Sequence, residues 1–343
     1  MSDLPTDLDP SHSSASRESN ITTGASDFIA DAISGIPAPI RKNAFKAFAQ
    51  LCTAIVDVPI AHLEGLAAEK RAETKARIAL IGESGRQISE QILVSESFID
   101  AASQKFSQKI VREQRNVQTI SKIAADELKC LPESEVTASE NDGVTDDWLN
   151  LFEREASAKS SEEMQFLFGK ILAGEIRRPS SFSIRTVRLL GQLDANVAKV
   201  FADFCSMVIC LKGSDKVIDA RVFTPGKVNE ADPLKEWGVS YSKLLLLQEF
   251  GLIVAELKTQ MNYSYTISKV GKQAFPFEFQ GKKWVLDQTA EANANQELWL
   301  SGPSLSSVGK ELMAIVDITP NENYAGALHG FFHSRNLKMK AVN

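Results

Sequence analysis

Apolar residues recur at helical spacing through most of the first two-thirds of the chain, and most sharply between Asp146 and Phe204. Met164, Leu167, Phe168, Ile171 and Leu172 fall at i, i+3, i+4, i+7 and i+8, one stripe along a helix. Ser160 and Glu163 have capping-box spacing at its start, and Gly174 and Pro179 close it. The helix before it starts at a Thr145–Asp147 cap and buries Trp148, Leu149 and Phe152. A third opens at a Ser180/Ser181 cap and buries Phe182, Ile184, Val187, Leu190 and Leu193. Asp194 caps a fourth, with Val197, Val200, Phe201 and Phe204 inside, running on towards Cys210.

Upstream, residues 1–24 are Ser-, Asp- and Pro-rich and read as disordered. A short helix carrying Phe28, Ile29, Ala32 and Ile33 is broken by Gly35, Pro37 and Pro39. The apolar run from Ile40 to about Ile60 contains Lys46, Gln50 and Asp57, so it does not cross a bilayer. It reads as a buried packing helix, with a membrane-touching amphipathic helix as the alternative. From His62 to Leu128 the pattern is almost continuously helical. Its seam is Ile81, Ile88, Ile92, Ile99, Phe106, Ile110, Val117, Ile120 and Ala124, in steps of 7, 4, 7, 7, 4, 7, 3 and 4. Such a seam packs on another helix of the chain or on a second subunit. Residues 131–145 form an acidic linker without periodicity.

Beyond Gly213 the runs shorten and Gly, Pro and aromatic residues increase. Ser240–Phe250 reads as a helix stopped by Gly251, followed by a strand, a KTQMN turn, a YSYTI strand and a helix from SKVGKQAF. That is the layout of a winged helix. ISKVGKQAF (267–275) and LSSVGKELM (305–313) share Ser, Val, Gly and Lys in register, so the wing carries an insertion over 276–304 or a short repeat. The NENYAGALHGFFHSRNLKMKAV segment supplies a last helix and an edge strand. The expected fold is mainly α: a long-helix region (25–130), the linker, a central helical bundle (146–212) and a small α+β winged-helix-like domain (213–343).

The run LFGKILAGEIRRPSSFSIRT, with EQRNVQTISKIAADEL (113–128) before it, resembles the bacterial family called domain of unknown function 2806, over roughly residues 105–343. In that family's pattern Phe168 is commonly tryptophan and Ser180 commonly glycine. The resemblance implies no catalytic residues. There is also a looser likeness to abortive-infection proteins, which implies a role in phage defence.

Net charge is −6, and no segment is strongly basic: Lys+Arg against Asp+Glu is 15 to 17 over 1–130, 8 to 13 over 131–204, and 15 to 14 over 205–343. Whole-domain electrostatics therefore do not point to nucleic acid. Cys52, Cys130, Cys205 and Cys210 have no C-x-x-C spacing, and Cys205 and Cys210 suit buried thiols. A cytoplasmic location is expected, since no signal peptide is recognisable. His329 and His333 lie one helical turn apart without a third ligand nearby, so a metal there is only the outside reading. The acidic pairs Asp146/Asp147, Glu153/Glu155 and Glu162/Glu163 lie at or near helix starts, where capping accounts for them. Arg177, Arg178, Arg185 and Arg188 flank Ser181 at a helix start, a candidate anion or phosphate site. Lys258, Lys269, Lys272, Lys282 and Lys283 are candidate wing contacts to nucleic acid. No P-loop, dinucleotide fingerprint or nucleophile elbow occurs. No cofactor is expected. The expected function is non-catalytic: interaction and self-association through the Ile81–Val117 seam, with a protein partner on the C-terminal domain. Nucleic-acid binding is the second reading and a membrane-associated effector the third.

Overall fold

The computed structural model describes residues 28–52, 96–130, 143–213, 216–225, 230–269, 272–289 and 296–342, with side chains in the long helix described at 105, 106 and from 108 on. These residues form two compact units, one up to Gly191 and one from Gln192. The expected seam positions Ile81, Ile88 and Ile92, the side chain of Ile99, residues 1–24 and most of the acidic linker lie outside the described residues.

The first unit is helical. A short helix over 28–33 leads into α1 (Ala38–Cys52), followed by α2 (Glu96–Lys129), α3 (Asp146–Ser157), α4 (Glu162–Arg177) and α5 (Ile184–Gln192). α1 buries Ile40, Ala44, Phe48 and Leu51. Thr145 caps α3 through its hydroxyl to Trp148 N, and Trp148, Leu149 and Phe152 are buried as their spacing predicts. The stripe of α4 also goes inside, with Met164, Phe168, Ile171 and Leu172 buried. α2 packs on α4, α3 and α1. Its approach to α4 is close: a Cβ at Gly169 would collide with Ile123 Cγ2. Phe152 stacks on Trp148 (5.0 Å between centroids) and meets Phe168 edge-on (5.6 Å).

Two predicted helix starts are displaced. α4 has Ser161 at its N-cap with no side-chain bond, so the Ser160/Glu163 box does not form. Ser160 Oγ instead takes a bond from Asn116 Nδ2 (3.3 Å), and Gln165 Nε2 donates to Asn116 Oδ1 (3.2 Å). A buried amide pair thus claims the serine and ties the α3–α4 turn to α2. α5 starts at Ile184 behind a Ser183 hydroxyl that accepts from Thr186 N, not at Ser180/Ser181. Ile184 consequently faces outward.

The second unit corrects the mainly-α expectation. It begins with α6 (Ala195–Cys205), capped by Asp194 Oδ1 on Val197 N (2.8 Å) and burying Val197, Val200, Phe201 and Phe204. Ten strands follow: β1 (Ile209–Lys212), β2 (Val217–Arg221), β3 (Ile253–Val254), β4 (Gln260–Asn262), β5 (Ile267–Ser268), β6 (Phe277–Phe279), β7 (Lys282–Gln288), β8 (Trp299–Ser301), β9 (Ser304–Leu305) and β10 (Leu337–Val342). Helices α7 (Tyr241–Glu249), α8 (Ser307–Met313) and α9 (Glu322–His333) are interspersed. Eight strands make one sheet, ordered β10-β7-β6-β1-β2-β9-β3 with β5 parallel beside β7; β4 and β8 make a second. The protein is α+β.

The chain leaves α6 at Ser206 and turns directly into β1, so the run towards Cys210 is strand, not helix. The hairpin expected after Gly251 does not form either. β3 pairs with β9, about fifty residues on, and β4 pairs with β8. Among the described residues of the two similar segments only those of the second are helical, as α8, where Ser306 Oγ accepts from Gly309 N (3.0 Å) and donates to Gly251 O (2.6 Å). Ser268, the counterpart in the first segment, bonds Asp287 instead, so it is not free to cap a helix. The last helix and edge strand, α9 and β10, form as predicted.

α9 covers one sheet face, Phe332 against Phe277 (6.3 Å) and Tyr324 against Phe279 (6.0 Å). On β2, Asp219 and Arg221 form a buried bidentate pair (2.6 and 2.8 Å). The Tyr263 hydroxyl donates to Asp219 Oδ2 (2.8 Å), and Arg221 Nη1 donates to the carbonyls of Thr259 (2.7 Å) and Leu300 (3.1 Å). Burial and the Asp219 charge hold the Tyr263 phenol above its ordinary range, so it stays a donor. Because Thr259 adjoins β4 and Leu300 lies within β8, one pair fastens the small sheet to the large one. Removing one partner from such a pair strands the other charge, so Asp219→Ala should cost about 3–5 kcal/mol. Asp219→Leu with Arg221→Met should cost less than either single change, measured by urea denaturation.

Candidate interaction surfaces

The stretch LFGKILAGEIRRPSSFS is built around a buried carboxylate. Glu175, 3% exposed near the end of α4, accepts from Ser180 N (2.7 Å) and Phe182 N (2.9 Å). Gly174 leaves room for the Phe182 ring, whose Cε2 would lie 2.6 Å from a Cβ there. Trp148 Nε1 donates to Phe182 O (2.9 Å), locking the loop to α3. Ser180 sits at φ 67, a left-handed conformation that glycine adopts without steric cost. That accounts for the glycine common at this position in the family the sequence resembles.

This loop also occupies the groups an anion site would need. Ser180 and Phe182 amides go to Glu175, the α5 cap uses Ser183, and Ser181 Oγ donates to Arg178 O (2.6 Å). Arg177, Arg178, Arg185 and Arg188 are all exposed around it. These amides and hydroxyls thus have partners within the turn, while the four arginines remain exposed.

The heptad seam has two environments. Val117, Ile120 and Ala124 are buried in the helical unit, while Phe106 (39%) and Ile110 (43%) on the preceding turns are exposed, as is Val111 (60%) beside the seam. α2 therefore carries its apolar stripe beyond the part that its own bundle covers.

On the C-terminal unit the five predicted lysines separate. Lys283 lies on β7 on the sheet face away from α9, opposite Val342 and Glu278, whereas Lys282 alternates to the other face. Lys269 and Lys272 follow β5, joined by Lys272 N to Lys269 O (3.0 Å). Lys258 precedes β4 in the smaller sheet. Sequence reasoning missed Lys338 and Lys340, which alternate with buried Leu337 and Met339 on β10 and share the Lys283 face. The L-K-M-K alternation was the available signal. Asp287 sits opposite Lys338 and level with Ser268, with Lys340 Nζ 3.3 Å away. The Ser268 hydroxyl and then Lys340 hold its carboxyl below the usual range.

The other chemical candidates have structural partners. His329 packs edge-on against Trp284 (5.8 Å), and among the described residues no group of three His, Cys, Asp or Glu is placed to hold a metal. Asp146 pairs with Lys46 (2.9 Å), and Glu162 and Glu163 occupy the first turn of α4. No described helix is long and apolar enough to cross a membrane. Burial raises the thiols of Cys52 and Cys210 to about 11 and that of Cys205 higher still; Cys130 is exposed.

Two predictions follow from this geometry. Glu175→Ala leaves two amides without an acceptor and should lower stability by about 3 kcal/mol in chemical denaturation, without changing helix content under native conditions. Under native conditions a thiol reagent such as DTNB should titrate Cys130 alone; all four cysteines should react in denaturant.

No curated protein and no solved structure matches the chain significantly. A family described as protein of unknown function (DUF2806) matches residues 100–329. That span takes in the Gly169 contact, the Glu175 clamp, the α+β sheet as far as β9, and α9 up to His329. The chain belongs to the DUF2806 family.

Proposed function

We propose that this protein works by self-association, as a non-catalytic interaction protein whose long helix α2 joins a second copy of the chain. The observation that carries this is the exposure of Phe106, Ile110 and Val111 on the helix whose later seam residues are buried. A stripe that meets heptad spacing and continues past its own bundle fits pairing with an identical stripe. An i, i+4 ion pair of Lys109 with Glu113 (3.6 Å) adds to the helix's own stability on these turns.

The energies define the interface needed. Burying three half-exposed side chains contributes roughly 1 kcal/mol each, about 6 kcal/mol for two copies. Association costs an amount of the same order, so these residues alone give a weak dimer. A stable one draws on the earlier seam residues, Ile81 to Ile99, as well.

Size-exclusion chromatography with light scattering on the full chain tests this. The wild type should run as a dimer or larger, and Phe106→Ser with Ile110→Ser should weaken association at least tenfold while leaving the circular dichroism spectrum unchanged. A wild-type monomer at tens of micromolar (about the weakest range expected of a functional dimer), or a double variant that associates as before, would refute the proposal.

A further inference from the structure

We infer that the arginine-bearing surface formed by the end of α4 and the outer face of α5 binds the phosphate backbone of a nucleic-acid duplex. This goes beyond self-association and rests on none of it. On α5, Ile184, Arg185, Arg188 and Gln192 share the exposed side, away from buried Thr186, Val187 and Leu190. Arg185 and Arg188 are therefore neighbours one turn apart. On α4, Gly169 and Gln165 face α2 and Phe168 faces α3. Exposed Arg177 stands on the remaining, open side. The two faces adjoin. Phe182 packs on Gly174, which is i, i+3 from Arg177 and hence beside it on the α4 surface. Glu175 and Trp148 pin the same turn through Phe182 N and Phe182 O. From there α5 runs back along α4, since Lys159, just before α4, donates to Gly191 O at the far end of α5. Arg177 and Arg185 thus lie within roughly 20 Å of each other, about six base pairs of duplex.

Charge is segregated here. Of the eight Lys and Arg between residues 131 and 204, four fall between 177 and 188, and no acid falls among them. The adjacent acid, Glu175, is buried and spends its oxygens on two amides. Among the described residues Arg177, Arg185 and Arg188 have no ion-pair partner. What accompanies the arginines selects the occupant. A protein interface needs an apolar centre, and Ile184 is the single large apolar side chain exposed between 177 and 192. One such residue also gives a lipid surface little to bury. Unpaired bases need aromatic platforms, but Phe182 is buried, and Phe166 lies about three turns up α4 under the Lys170 ammonium (4.6 Å). Guanidinium forks without apolar or aromatic company suit a partner met through charge and hydrogen bonds alone, as the phosphates of a duplex are.

Fluorescence anisotropy of the full chain with a labelled duplex of about twenty base pairs tests the inference. With three to four phosphates met, log Kd should rise with log salt at a slope of about 3. Arg185→Glu with Arg188→Glu should weaken binding at least tenfold and lower the slope to about 1. Arg177→Glu, on the other helix, should weaken it about fivefold and lower the slope by about 1. Lys338→Ala with Lys340→Ala, in the C-terminal unit, should leave binding unchanged. All these positions are exposed, and thermal melts establish that the variants are folded. No binding at low salt, equal binding of a single strand of the same length, equal displacement by polyglutamate, insensitivity to either arginine variant, or an equal loss from the lysine variant would each overturn the inference.

Discussion

The helical unit depends on one close approach, α2 lying against α4 where Gly169 admits the side chain of Ile123. With no Cβ at that point the two helices approach closely, and Val117, Ile120 and Ala124 of α2 and Phe168 and Leu172 of α4 are fully or almost fully buried. The polar groups that this contact buries are matched, Asn116 with Gln165 and the α3–α4 turn, so the core carries little unsatisfied cost. α2 thereby becomes a fixed rod. Its apolar stripe cannot end where the bundle ends, because the same helix continues towards Glu96 with Ile110 and Phe106 in step.

Glu175 and Asp219 apply one principle in the two units. Each is a buried carboxylate fully engaged by donors: main-chain amides for Glu175, a guanidinium and a phenol for Asp219. Neither is left with a free oxygen facing a cleft, and each fastens chain segments that lack regular pairing of their own. In sequence such acids resemble catalytic ones, and the difference lies wholly in what surrounds them. The density of specific residues in the GEIRRPSSFS stretch therefore records a demanding turn.

Legibility in the sequence followed the range of the forces involved. Helices α3, α4 and α6 were readable because stripe and cap are local: Thr145 and Asp194 lie within three residues of the amides they bond. The sheet was not, because its strands are two to seven residues long and pair across distant stretches, as Ile253 does with Leu305. The apolar run around Met207–Leu211 has no period that separates helix from strand. The two S-x-V-G-K segments show the limit most directly, since similar letters put Ser306 at the cap of a helix and Ser268 in a strand, held by Asp287. Among candidate surface residues, the seam was visible from spacing, but its division into covered and open halves was not. Lys338 and Lys340 gained meaning only when β10 was placed beside β7.

The central claim is that one stripe on α2 is covered within the chain over Val117–Leu128 and between chains over Phe106–Val111. Backbone hydrogen exchange followed at several protein concentrations tests it most directly. Amides of 117–128 should be equally protected throughout, while those of 106–113 should lose protection on dilution, as a contact between copies dissociates. Protection of 106–113 that does not change with concentration, whether strong or absent, would contradict the account.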